Sequence, residues 1–181
     1  MALLATAASA NFIVNGDFET SVPSNGTGGG WTSSHIDSAG GWRSSGGNLG
    51  GKFILNDAGS SVSDPTIMQT VTGLTAGNRY LLSGDYASSM INNSPSGATN
   101  SFEVLVNGVV VFQGAPTNLH SWTHFEVEFF ASDEALDIAL RAEANGSDND
   151  FEIDNIVLDV PAAGTLTLIG LGGLTTLRRR R

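Results

Sequence analysis

The chain predicts an all-β fold, a jelly-roll β-sandwich of about eight to ten antiparallel strands. Three observations carry this. Short runs rich in Val, Ile and Phe recur between breaks of Gly, Ser, Thr and Asn. Several runs alternate apolar and polar residues, the period of a strand with one buried face. Glycine supplies 23 of 181 residues, against roughly 7% in average proteins, an excess that serves turns rather than helices.

The chain begins Met1–Ala10, small and apolar, and ends this stretch on Ala8-Ser9-Ala10, a cleavage site of the signal-peptidase type. We read residues 1–10 as the remnant of a signal peptide and 11–160 as one domain. Phe12-Ile13-Val14 has strand composition, Asn15-Gly16 bends it, and Phe18 returns to the core between Asp17 and Glu19. Thr20–Lys52 reads as a long loop holding Trp31 and Trp42, and long loops without regular structure tend to be functional or disordered.

Phe53–Leu55, Ile67–Leu74 and Tyr80–Ala87 follow as strands. Asn107-Gly108, between Phe102–Val106 and Val109–Phe112, is a strong hairpin signal. Trp122–Ala131 places Phe125, Val127 and Phe129 on one face and His124, Glu126 and Glu128 on the other. Leu136, Ile138, Leu140 and Ala142 also alternate, although the same segment holds good helix formers; its context favours a strand. Phe151–Asp159 closes the domain. If it lies beside the first strand, Glu19 meets Asp154, and two such carboxylates call for a cation between them.

Charge and composition exclude several functions. All 18 acids fall within residues 11–160 with four basic residues, so this part carries 4 − 18 = −14. Such a surface repels phosphates, and no nucleic-acid partner is expected. With no cysteine there is no disulfide, thiolate metal site or Cys nucleophile. His120 and His124 lack an HExxH context and read as surface residues; Gly-x-Ser-x-Gly and Walker spacings are absent. The alternating Asp148, Asp150, Glu152 and Asp154 suggest either a cation or a solvated edge. No enzyme is expected; a glycosidase carboxylate pair cannot be singled out among so many acids.

For sugar binding, a ring must offer a face to the C–H side of a pyranose. Trp42 with Arg43 beside it is the first candidate, Tyr86 the second; Trp122 reads as core, and Trp31 stays open.

After Asp159 the character changes. Val160-Pro161 leads into the apolar Gly164–Leu177, about 21 Å long as a helix and short of the roughly 30 Å hydrocarbon core. Arg178, Arg179, Arg180 and Arg181 end the chain as a cytoplasmic stop signal.

Residues 161–181 resemble the PEP-CTERM sorting signal. They share a proline start, a short apolar helix and a terminal Arg cluster, but Ala162-Ala163 stands where that family has Glu-Pro. The resemblance implies export, transient inner-membrane anchoring by this C-terminal segment, and an exosortase-type partner, ending at the cell envelope, the outer surface or secretion. The stretches IVNGDFE, IMQTVTGLTAGNRYLLSGDYA, SWTHFEVEFFA and FEIDNIVL resemble a galactose-binding-like jelly roll, the class that holds many carbohydrate-binding modules. That resemblance implies a structural calcium held by the Glu19 and Asp154 carboxylates with the Asp17 carbonyl, and extracellular polysaccharide as partner. The alternative is a structural or adhesive matrix protein of the same fold without a glycan site. An exposed, coplanar Trp42 and Tyr86 would favour binding, and a buried Trp42 the alternative.

Overall fold

The computed structural model describes residues 11–56, 64–89, 100–144 and 150–161. The N-terminal stretch 1–10, Asp148 and the tail from Ala162 onward, with its expected helix and arginines, lie outside the described residues. Among the described residues every regular element is a strand. In chain order these are β1 (Gly26–Gly28), β2 (Trp31–Ser34), β3 (Gly41–Arg43), β4 (Lys52–Asn56), β5 (Thr66–Thr72) and β6 (Arg79–Ser88). They continue with β7 (Asn100–Val106), β8 (Val109–Gly114), β9 (Thr123–Phe130), β10 (Ala135–Ala144) and β11 (Asp150–Asp159).

They form two antiparallel sheets, one of six strands in the order β1-β2-β5-β10-β7-β8 and one of five in the order β3-β4-β11-β6-β9. The inner faces enclose the core. Trp31, Phe18, Phe53, Phe102, Phe125 and Phe151 are fully or almost fully buried in it, each contributing on the order of 1.5–3 kcal/mol of transfer energy. Leu136, Ile138, Leu140 and Ala142 all face this core, and β10 is bonded on both edges, to β5 and to β7. Burial of that alternating face decides the strand over the helix. Asn107 and Gly108 both take positive φ, as the β7–β8 hairpin turn requires.

Three corrections concern the first fifty residues and β9. Phe12–Val14 is not a strand: its chain runs along β11 through only two backbone bonds, Phe12 N–H to the Leu158 carbonyl at 2.9 Å and Ile156 N–H to the Gly16 carbonyl at 2.8 Å. A β-bulge between Asp154 and Val157, with Asn155 at positive φ, interrupts a regular ladder there. The long loop of Thr20–Lys52 holds three short strands, too short and glycine-rich to show a period. Trp31 anchors this stretch: it stacks on Phe18 at 5.7 Å, and its indole N–H donates to the Asn15 carbonyl at 3.0 Å. Trp122 is not core. It precedes β9, is half-buried, and stands outside the core cluster of the described residues.

Candidate functional site

Cross-strand partners share a face, so the register sorts the five-stranded sheet into two sides. Trp42, Phe53, Ile153 and Tyr86 form one row, and Phe53 and Ile153 are fully buried, so this row faces inward. Arg43 and Lys52 form a pair on the other side, as do Asp154, Asp85 and His124. The polar chemistry therefore collects on the outer face of this sheet.

That outer face is not open surface. Lys52, Asp85, Asp150, Glu152 and Asp154 are all less than a tenth exposed, because two loops lie across it. On one side, residues 44–51 are held by three carboxylates. Glu19 accepts the Gly51 N–H at 2.9 Å, while Asp154 Oδ2 accepts those of Asn48 at 2.7 Å and Leu49 at 3.3 Å. Asp85 accepts the Asn48 side-chain amide at 2.8 Å and that of Asn155 at 2.9 Å. Only glycine fits at two points of this loop: a Cβ on Gly50 would lie 1.9 Å from Glu19 Oε1, and one on Gly47 would lie 2.6 Å from Asp154 Oδ2. On the other side, residues 115–121 are zipped to the end of β6, with Ser88 and Thr117 exchanging backbone-to-hydroxyl bonds of 2.9 and 3.0 Å. The His120 N–H donates to the Ser88 carbonyl at 2.8 Å.

Between the loops opens a cleft of about 430 Å³, whose lining includes Arg43, Lys52, Asn56, His120, Asp150 and Glu152. Lys52 Nζ donates to Glu152 Oε1 at 2.7 Å, and His120 Nδ1 reaches the same oxygen at 2.9 Å. The Asn56 amide donates to Asp150 Oδ1. Glu152 Oε2 and Asn56 Oδ1 are buried and, among the described residues, have no hydrogen-bond partner. Beside the cleft, His124 Nδ1 bonds Asp85 at 2.8 Å, a contact that raises the His124 pKa against the opposing effect of its partial burial. Burial pushes the Asp85 carboxyl up, but hydrogen bonds from Asn155, Asn48 and His124 outweigh it and hold the group below its ordinary value. Asp154 lies above its ordinary value because burial outweighs the backbone N–H bonds it accepts, with the Asp85 charge adding to the rise.

The sugar-binding residues expected from sequence divide. Arg43 lines the cleft, its guanidinium turned back to the carbonyls of Ala39, Gly40 and Trp42. Trp42 faces the interior, packs on the core and donates its indole N–H to the Phe18 carbonyl at 2.6 Å. Tyr86 is 5% exposed and stacks on Phe102 at 4.7 Å, so its ring has no free face for a sugar. His120 and His124 each have about half their side chain exposed, yet each is bonded to a buried carboxylate, which a plain surface reading misses. Asp150, Glu152 and Asp154 do share one face, but as buried, partnered groups rather than a solvated edge.

Glu19 and Asp154 meet the same loop, residues 44–51, on the outer face of the five-stranded sheet. Their hard oxygens together with carbonyls of that loop are the donor type calcium takes. Asp17 is exposed, its carboxylate bonded only weakly, at 3.5 Å, to the Glu19 N–H. Among the described residues no group of three or more His, Cys, Asp or Glu side chains converges for a metal, so any ion there would need backbone carbonyls.

No family model and no curated protein matches the sequence. Solved structures match the fold. TmCBM61, solved with β-1,4-galactotriose, superposes with a TM-score of 0.56 at 15% identity, covering 83% of this chain and 98% of that one. It is a carbohydrate-binding module, and this chain shares its jelly roll. The CBM22-1 xylan-binding domain of Paenibacillus barcinonensis Xyn10C gives 0.51 at 13% identity, covering 88% of this chain and 100% of its own. A family 16 carbohydrate-binding module gives 0.50 at 22% identity over 82% and 99%.

Proposed function

We propose that this protein is an exported carbohydrate-binding module that binds extracellular polysaccharide in the cleft between residues 44–51 and 115–121. The observation that carries the proposal is the pair of buried, unpartnered acceptors lining that cleft, Glu152 Oε2 and Asn56 Oδ1. A buried acceptor without a donor costs about 1–3 kcal/mol, and a sugar hydroxyl supplies the missing donor. Ser44 and Ser45 add hydroxyls along one wall, and the half-buried Trp122, two residues beyond His120 and not part of the lining, is the ring this reading assigns to stacking. The shared jelly roll supports this reading as a scaffold used by sugar-binding modules.

In the same proposal calcium is held by Glu19, Asp154 and the Asp17 carbonyl, and so braces residues 44–51. The tail, with Val160 and Pro161 leading to Arg178–Arg181, anchors the exported domain transiently in the inner membrane and presents it to a sorting enzyme for the cell surface. A matrix role without a glycan site is the competing reading, favoured by the inward Trp42. Affinity electrophoresis of the full chain through gels containing galactan, xylan or β-glucan, with calcium and with EDTA, separates the two. Retardation by a polysaccharide supports binding, and unchanged mobility in every gel supports the matrix role.

A further inference from the structure

We infer that the cleft takes a neutral sugar ring through two of its hydroxyls and turns away glycans built of uronates. This rests on the glycan reading above and names the class of ligand it admits. Glu152 is 1% exposed and Asn56 5%, and both line the cleft. Oε1 of Glu152 is taken by Lys52 and His120, which leaves Oε2 as a lone acceptor. The Asn56 amide cannot be reversed, because its NH₂ must face the Asp150 carboxylate, so its oxygen is the second lone acceptor. These residues sit on adjacent strands, Asn56 two positions from the partner of Glu152, within the span of one sugar ring.

Two acceptors need two donors. Hydroxyls supply them; a carboxylate brings further acceptors and a charge of the same sign as Asp150 and Glu152. Of the nearby cations, Lys52 is paired with Glu152, and Arg43 directs three of its five N–H groups back to the carbonyls of Ala39, Gly40 and Trp42. The net charge of −10 also disfavours the approach of an anionic polymer. Both acceptors are shielded from bulk water as they stand. His120, the exposed partner of Glu152, is the side chain that turns outward to admit the ring.

Calorimetric titration of the full chain with galactotriose and cellotriose, each beside its counterpart oxidised to a carboxylate at every C6, tests the inference. The neutral trimer that binds should do so at least tenfold more tightly than its oxidised partner. Glu152→Gln, which keeps the size and removes the charge, should weaken that trimer at least fivefold and erase the preference. Should this variant misfold, wild-type protein with monofluorinated monosaccharides gives a second reading, since fluorine cannot donate: two ring positions should each lose at least fivefold. An oxidised trimer bound as tightly as the neutral one, or a fluorine series without such positions, overturns the selection and leaves the glycan site standing. Binding of none of the four trimers overturns the glycan reading and this inference with it.

Discussion

The two sheets carry charge on their outer faces in different ways. On the six-stranded sheet Glu103 is as buried as the acids of the other face, yet both of its carboxylate oxygens are partnered among the described residues. Glu103 Oε2 accepts the Arg141 Nε–H at 3.0 Å, its Oε1 accepts the Gln113 amide at 3.2 Å, and Arg141 also reaches Glu143 at 3.2 Å. On the five-stranded sheet the loops at 44–51 and 115–121 bury a larger set of charges and leave two buried acceptors beside a cleft without a partner among the described residues. A closed network fixes a structure. An open one, covered but unfinished, is what a ligand completes.

Within the five-stranded sheet itself, covered and open ion pairs should separate by size of effect. Lys52→Met leaves Glu152 buried with only His120 for company, and should cost about 3–5 kcal/mol in denaturant unfolding, as removing one partner of a buried pair does. Arg79→Met, at a pair half exposed on both sides, should cost about 0–1 kcal/mol. Equal losses from the two would remove the distinction between covered and open charge.

Calcium should act on the five-stranded sheet's outer face, at residues 44–51, and not on the six-stranded sheet. At a hundredfold excess over Kd, binding to the folded state adds about 2.7 kcal/mol. For a domain of this size that raises the melting midpoint by about 5–10 °C. Glu19→Gln and Asp154→Asn should each abolish most of the rise, whereas Trp42→Ala and Arg141→Met should keep it. A wild-type midpoint indifferent to calcium would leave both acids as clamps for residues 44–51 only.

The smallest effect is a pH response on the cleft side. His124 has a folded pKa above its ordinary value of ~6.5, so its bond to Asp85 adds stability that is complete below that value. The contribution is lost as pH rises through the raised value. Because the imidazole is largely exposed, the midpoint should drop by no more than a few degrees between about pH 6 and pH 8. His124→Gln should flatten the drop, and an equal drop in that variant would assign the response elsewhere.

Much of the fold was legible in the sequence, because alternation over six or more residues outweighs local helix propensity, as in Ala135–Ala144. The short strands β1 to β3 were not, since three or four residues among glycines show no period. The candidate site was legible in its anions but not in its partners. Asp150, Glu152 and Asp154 stood out as an alternating row, whereas Lys52 reads as one basic residue ahead of an apolar strand until the register brings it over Glu152. Trp42 misled because a tryptophan in a glycine-rich loop looks the same whether its ring turns out or in. Only its pairing with Phe53 decides that.

In the proposed function a glycan occupies the covered face of the five-stranded sheet and not the face of the other. Ser45 is exposed and lines the cleft, and Thr72 is exposed on the six-stranded sheet. Titrating the neutral trimer into Ser45→Trp and Thr72→Trp, with matched melts to confirm folding, compares the two faces directly. Binding should weaken at least tenfold in Ser45→Trp and stay unchanged in Thr72→Trp. Full affinity in a folded Ser45→Trp protein would contradict that placement of the glycan.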